Sequence, residues 1–236
     1  MNKLIFSCCV VIQFLFYSIE SKAQKPTNFS EQFFLFIDHN NKTPILILGD
    51  SSLYQGYDFK KTTLKSLPKD IPIRHLRAIA VNNEPYIVDM GCGPVFKFEN
   101  NNFSRIDKSF RHRNQYNASI FEYNNRIHFF GGFGLFTDKN IVTYFDTTIG
   151  EWLELPTNTS YRPKPRSHSK YILIDNKLYI WKGLVRKGPV FSKDLIDDTL
   201  WVLNLTTNTW KKLGKINKQS FTVRNLNCSF QVDNLL

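Results

Sequence analysis

At 236 residues, with 42% hydrophobic and 15% aromatic residues, the chain is long and apolar enough to fold as one large all-β domain around its own core. Its net charge of +11 points to acidic partners. The five histidines share no metal spacing, no CxxC occurs, and the basic patches lack zinc-finger or helix-in-groove patterns. Neither a metal, a cofactor nor nucleic-acid recognition is therefore expected.

Residues 1–23 read as a secretory signal. Lys3 supplies a basic start, Leu4 to Ile19 is mostly apolar, and Ser21-Lys22-Ala23 forms a small-residue cleavage site before Gln24. The run falls short of the roughly 20 apolar residues that a spanning helix needs, and no later run is longer. The expected location is secreted, periplasmic or cell-surface, with no stable membrane span after cleavage. Cys8 and Cys9 leave with the signal, while Cys92 and Cys228 remain in distant parts of the chain. An exported compartment permits a bridge, but two distant cysteines do not specify one.

After a polar spacer at 24–30, one pattern recurs: an Asn/Asp-rich turn, a short apolar strand, then glycine. It occurs at Asn40 to Gly49, Asn82 to Gly91, Asn124 to Gly132 and Asp175 to Gly183, and begins again at Asp233-Asn234. The anchors Asn41, Asn83, Asn125, Asn176 and Asn234 lie 42, 42, 51 and 58 residues apart. Such periods mark an array of supersecondary units, none of which can bury its apolar faces alone. Each unit reads as four strands. The first strands are 32–37, 76–81, 119–123, 170–174 and 229–232, each followed by the turn and the strand that ends in glycine. A variable loop, longest after Gly183, leads to third strands at 55–59, 95–98, 141–146 and 199–205. Fourth strands carry Leu64, Phe103, Trp152 and Trp210 in matching phase. No strong helical periodicity appears in residues 24–236.

Gly131-Gly132, Tyr144-Phe145-Asp146 and Glu151-Trp152 form a unit that resembles the kelch repeat. Lys177 to Gly183, Leu200 to Asn204 and Asn208-Thr209-Trp210 form another, with Lys182 in place of the usual first glycine. The units anchored at Asn41 and Asn83 keep the phase, retain one glycine each and lack the tryptophan. The resemblance spans about 31–236. It implies a kelch-type β-propeller of four-stranded blades, at 31–68, 74–108, 116–156 and 168–214, with a partial fifth at 226–236. Gly131, Gly132, Tyr144, Trp152, Gly183 and Trp210 are its structural markers. Kelch propellers commonly close with six or seven blades. The expectation is therefore a portion of a longer propeller, with four-blade closure or pairing of two chains as alternatives and an open blade edge available for self-association.

Arg74, Arg113, Arg166 and Arg224 each shortly precede a first strand. In kelch propellers this connection lies at the channel mouth, so the resemblance implies a ring of arginines. A guanidinium fork suits a carboxylate. The expected ligand is an acidic glycan or protein segment, and the expected role a non-catalytic binding module. The alternatives are a periplasmic carbohydrate-active enzyme of the sialic-acid mutarotase kind, or a scaffold within a longer protein. Asp50, Glu84 and Asp138 are loop or turn carboxylates with no paired partner in the pattern, and His128 sits within a strand as a packing residue.

The signal reading has a direct check. Intact mass of the exported protein is expected to begin at Gln24, and retention of Met1 to Ala23 there would refute it.

Overall fold

Short runs of β-branched and aromatic residues, separated by Asn, Asp and Gly, form strands joined by tight turns. The computed structural model describes residues 33–38, 43–48, 52–58, 60–64, 71, 75–89, 93–108, 115–158, 160–186, 195–216 and 231–232. The expected signal segment 1–23 and spacer 24–30 lie outside them. There is no α-helix among the described residues.

Four sheets follow one another. The first holds β1 (Phe33–Asp38), β2 (Thr43–Leu48), β3 (Ser52–Gln55) and β4 (Lys60–Thr63). The second holds β5 (Leu76–Val81), β6 (Glu84–Asp89), β7 (Val95–Glu99) and β8 (Asn102–Arg105). The third is built from β9 (Ser119–Tyr123), β10 (Arg126–Phe130), β13 (Val142–Asp146) and β14 (Glu151–Leu155), with a small hairpin of β11 (Phe133–Gly134) and β12 (Thr137–Asp138) inserted. The fourth is built from β15 (Lys170–Ile174), β16 (Lys177–Trp181), β19 (Thr199–Asn204) and β20 (Thr209–Lys215), with the hairpin of β17 (Leu184–Val185) and β18 (Leu195–Ile196) inserted. Within each sheet these four strands pair antiparallel in sequence order. First strands of successive sheets are neighbours: β1 lies by β5, β5 by β9 and β9 by β15, as inner strands do around a propeller axis.

The hairpin turns explain the asparagines. Asn82-Asn83, Asn124-Asn125 and Asp175-Asn176 all take positive φ at both residues, from 47° to 66°. That is the conformation that matches strand twist in a two-residue hairpin, and Asn and Asp tolerate it best. The first unit departs. Four residues separate the paired Asp38 and Thr43, where two separate Val81 and Glu84. Aligning Asn41 with Asn83 is therefore one residue out, and a one-residue slip exchanges the faces of a strand. In the corrected register Ile45 and Ile47 match Tyr86 and Val88, and each pair packs toward the following sheet.

One further expectation needs correcting. The third strand of the first unit is Ser52–Gln55, not 55–59, because Gly56 turns the chain with φ 78°. Of the expected fifth unit, β21 (Gln231–Val232) is described, and it pairs parallel to Leu173 and Ile174 of β15.

Three apolar clusters fill the spaces between successive sheets. Between the first and second lie Leu53, Leu64, Ile87, Phe96 and Phe103. Between the second and third lie Val88, Val95, Ile127, Phe129 and Trp152. Between the third and fourth lie Phe121, Phe130, Leu178, Leu203 and Trp210. The fourth-strand marker is thus a wedge. Trp152 is 5% exposed, stacks 4.7 Å from the Phe129 ring, and donates its indole N–H to the Gly93 carbonyl of the second sheet at 2.7 Å. Trp210 is 4% exposed and lies 5.0 Å from Phe130 across the next gap. Truncating such a residue to alanine costs about 3–5 kcal/mol through lost transfer energy and the cavity left.

His128 is core, as its place within a strand suggested. Its ring stacks 5.2 Å from Phe121, near Tyr144, with Nδ1 3.0 Å from the Arg126 carbonyl. Burial pushes its pKa down to about 4 from 6.5, so the folded protein holds it neutral. Below about pH 6.5 the unfolded chain binds this proton and the folded one does not. Stability is expected to fall by up to about 3 kcal/mol as pH drops from 6.5 towards 4. Urea midpoints across that window check this, and His128→Gln is expected to flatten the slope.

Candidate binding face

In a four-stranded meander, the connections from second to third strand and those from fourth strand to the next sheet emerge on the same side. In the third and fourth sheets these connections interlock through their backbones. Tyr116 and Phe133 exchange hydrogen bonds of 2.8 Å, and Ser167 and Leu184 exchange bonds of 3.1 and 2.8 Å. His168 N donates to the Asn117 carbonyl at 2.8 Å, and Gly132 N to the Arg166 carbonyl at 2.8 Å.

The glycine markers permit this interlock. Gly132 has φ 89°, and a Cβ there would lie 2.6 Å from the Gln115 carbonyl oxygen. A Cβ on Gly131 would lie 2.7 Å from the Arg166 carbonyl oxygen, and one on Gly183 2.9 Å from that of Ser167. Beneath them, buried Gln115 donates to the Gly131 carbonyl at 2.8 Å and accepts from the Thr143 hydroxyl at 2.7 Å. Tyr144 sits apart from this face, half-buried on β13, with the Arg126 guanidinium 4.9 Å from its ring centre.

Arg166 is at the centre, but not as a ligand-facing fork. Its side chain is 0% exposed. Its guanidinium donates to Asp197 Oδ2 at 2.9 Å, to the Lys182 carbonyl at 3.0 Å and to the Lys164 carbonyl at 3.0 Å. Its backbone N–H donates to the Lys139 carbonyl at 2.9 Å. Burial pulls the guanidinium pKa below its ordinary value, and Asp197 works the other way. Burial also works against the Asp197 charge. The Thr199 hydroxyl and amide, together with Arg166, nevertheless hold that carboxyl below the ordinary aspartate range. Arg166, expected as a ligand contact, has its charge committed inside the protein. Arg74, Arg113 and Arg224 lie outside the described residues.

A second clip fixes the β11–β12 hairpin. Arg186 bonds Asp138 Oδ1 at 3.0 Å, and its guanidinium carbon lies 3.7 Å from the Phe133 ring centre. Asn140 Nδ2 donates to the Pro163 carbonyl at 2.9 Å, tying the same region to the chain before Arg166. The tip between these strands exposes Leu135 and Phe136. Sequence reasoning named Asp138 without its partner, and missed Gln115, Asp197, Arg186 and this tip. A buried arginine requires a carboxylate, so the Asp197-Asp198 pair closing the longest loop was the one available signal. Among the described residues, no group of three His, Cys, Asp or Glu side chains could hold a metal ion.

No family model matches this chain, and no curated protein matches it. Among solved structures it is similar to one titled "Structure of YjhT", with a TM-score of 0.57 and 16% identity, over 83% of this chain and 68% of that one. At that identity the likeness concerns the fold. With the order of the four sheets, it shows an all-β propeller architecture.

The arginine clip has a measurable worth. Removing one partner of a buried pair strands the other charge. Arg166→Ala is expected to lower the unfolding free energy by about 3–5 kcal/mol in urea denaturation. A double-mutant cycle with Asp197→Asn is expected to show coupling of at least about 0.5 kcal/mol. An unchanged midpoint would contradict the assignment.

Proposed function

We propose that this chain is an exported, non-catalytic binding module that takes an acidic glycan or peptide on the connection face of its third and fourth blades. One observation supports this best. A single buried arginine gathers three lysines from three separate connections, since the backbones of Lys139, Lys164 and Lys182 all bond to Arg166. Positive charge clustered at one place on a basic chain makes a focused field that scattered lysines do not. Two acids of the same connections, Asp197 and Asp138, are each paired with an arginine. The arginine ring suggested by the kelch resemblance enters in altered form. Arg166 shapes the site, while Arg74, Arg113 and Arg224 lie outside the described residues.

The enzyme alternative, a carbohydrate-active protein of the sugar-epimerase kind, needs an acid or base free to exchange a proton. The pairing of Asp138 and Asp197 favours binding over that chemistry. A scaffold role within a longer protein is compatible with the same face.

A screen of acidic and neutral glycans and peptides, run at low and physiological salt, tests the reading. Acidic ligands are expected to be preferred and to weaken as salt screens exposed charges beyond about 8 Å. The Lys139→Gln/Lys164→Gln/Lys182→Gln variant is expected to lose that preference while keeping its urea midpoint. Equal binding by the variant, or preference for neutral ligands, would sink it.

A further inference from the structure

We infer that the Leu135-Phe136 turn is a finger that inserts into an anionic lipid surface and holds the protein against it. The first ground is backbone conformation. Leu135 has φ 52° and Phe136 φ 65°, both in the left-handed region. Paired positive φ belongs to the tight hairpin turn in which Asn-Gly is favoured and bulky side chains are penalised. The four other two-residue hairpin turns among the described residues, Asn82-Asn83, Asn100-Asn101, Asn124-Asn125 and Asp175-Asn176, use Asn or Asp at each of these positions. Here the chain places a leucine and a phenylalanine in the same conformation. Strain of this kind persists only where surrounding structure over-determines it, and it collects at functional sites.

The surrounding structure does over-determine it. The Asp138–Arg186 pair, the Phe133–Tyr116 backbone exchange and the Lys139 N–H to Gly132 carbonyl bond of 2.8 Å fix both strands of the hairpin at its base. The tip is nevertheless turned to water. Leu135 is 69% exposed and Phe136 79%. A conformational cost is thus borne to display two large apolar side chains on a rigid mount. Packing against the described residues does not account for the choice.

Charge selects the partner. The connections that meet at Arg166 beside the base of the finger carry Lys139, Lys164 and Lys182, whose backbone carbonyls accept its bonds, and Arg186 is paired with Asp138 of the finger itself. An apolar tip within a basic collar matches the layered structure of an anionic bilayer, with acyl chains below and negative headgroups above. A rigid two-residue tip is far smaller than the surface that a stable protein partner covers, whereas insertion into lipid sets no minimum area. This inference stands apart from the acidic-ligand reading, because it concerns the tip rather than the lysines alone.

The test uses the full chain with vesicles of phosphatidylcholine alone or mixed with phosphatidylglycerol. The wild type is expected to float with the anionic vesicles only. Leu135→Asn/Phe136→Gly installs the favoured turn and removes the tip. It is expected to fold with a raised melting temperature, to lose about tenfold or more of the vesicle partitioning, and to keep binding acidic soluble ligands. Phe136→Trp is expected to retain partitioning, and to add emission above that of the four native tryptophans that brominated acyl chains quench. Equal flotation of wild type and the Asn-Gly variant would overturn the inference. So would equal flotation on neutral vesicles, absence of quenching, or full release by soluble glycerol phosphate, which would reduce the contact to a headgroup charge.

Discussion

Each four-stranded sheet carries apolar side chains on both faces, and a face exposed to water gives up the hydrophobic stabilisation that formed it. In β10, Ile127 and Phe129 turn toward the preceding sheet while His128 and Phe130 turn toward the following one. In β6, Ile87 and Val88 divide in the same way. The second strands β6 and β10 have no polar face to spare for solvent over their central residues. The sheets must therefore stack, and every other feature of the fold serves that stacking. The tryptophan wedges fill the gaps, the tight turns keep the register, and the glycines let connections pass at backbone contact distance. His128 is accommodated on the same condition, as a neutral ring among aromatic neighbours.

The connection face shows how a charge can act as a structural part. A buried guanidinium loses its hydration, and only a close carboxylate with several carbonyls offsets that loss. Arg166 has both. The fork that makes arginine a good receptor for carboxylates here receives the protein's own aspartate and its own backbone. The consequence reaches the surface, since the loops so fixed carry the lysines and the hairpin that meet the outside. The chemistry of the face is thus set one layer below it.

Local chemistry was legible in the sequence, and long-range pairing was not. Asn124-Asn125 and Asp175-Asn176 announce their turns because two adjacent residues decide the conformation. Trp152 and Trp210 announce the wedge because a repeat places them in phase. The first unit misleads by one residue because its turn is longer, and no residue type in Asn40-Asn41-Lys42 reveals the length. Gly56 moves a strand boundary for a similar reason. Arg166 was visible as a position, but its internal partners were not. Its partner Asp197 lies 31 residues onward in a loop with no repeat counterpart. The Leu135-Phe136 tip carries none of the residues that announce such turns, so it read as part of a featureless loop.

The meander order has a consequence for how the protein assembles. Antiparallel pairing within a sheet joins neighbours in sequence, and the turns that close the β5–β6, β9–β10 and β15–β16 hairpins contain two residues each. Such loops close at small entropic cost and within microseconds. The contacts between sheets span far more chain, as in the 59-residue separation of Trp152 and Gly93. Hairpins therefore form early and docking of sheet on sheet comes late, which puts the rate-determining search in the joints. A chain built this way tolerates drift within any one blade, so long as its wedge still fits the neighbour. The second unit is such a case, with Phe103 paired to Phe98 where Trp152 pairs to Phe145.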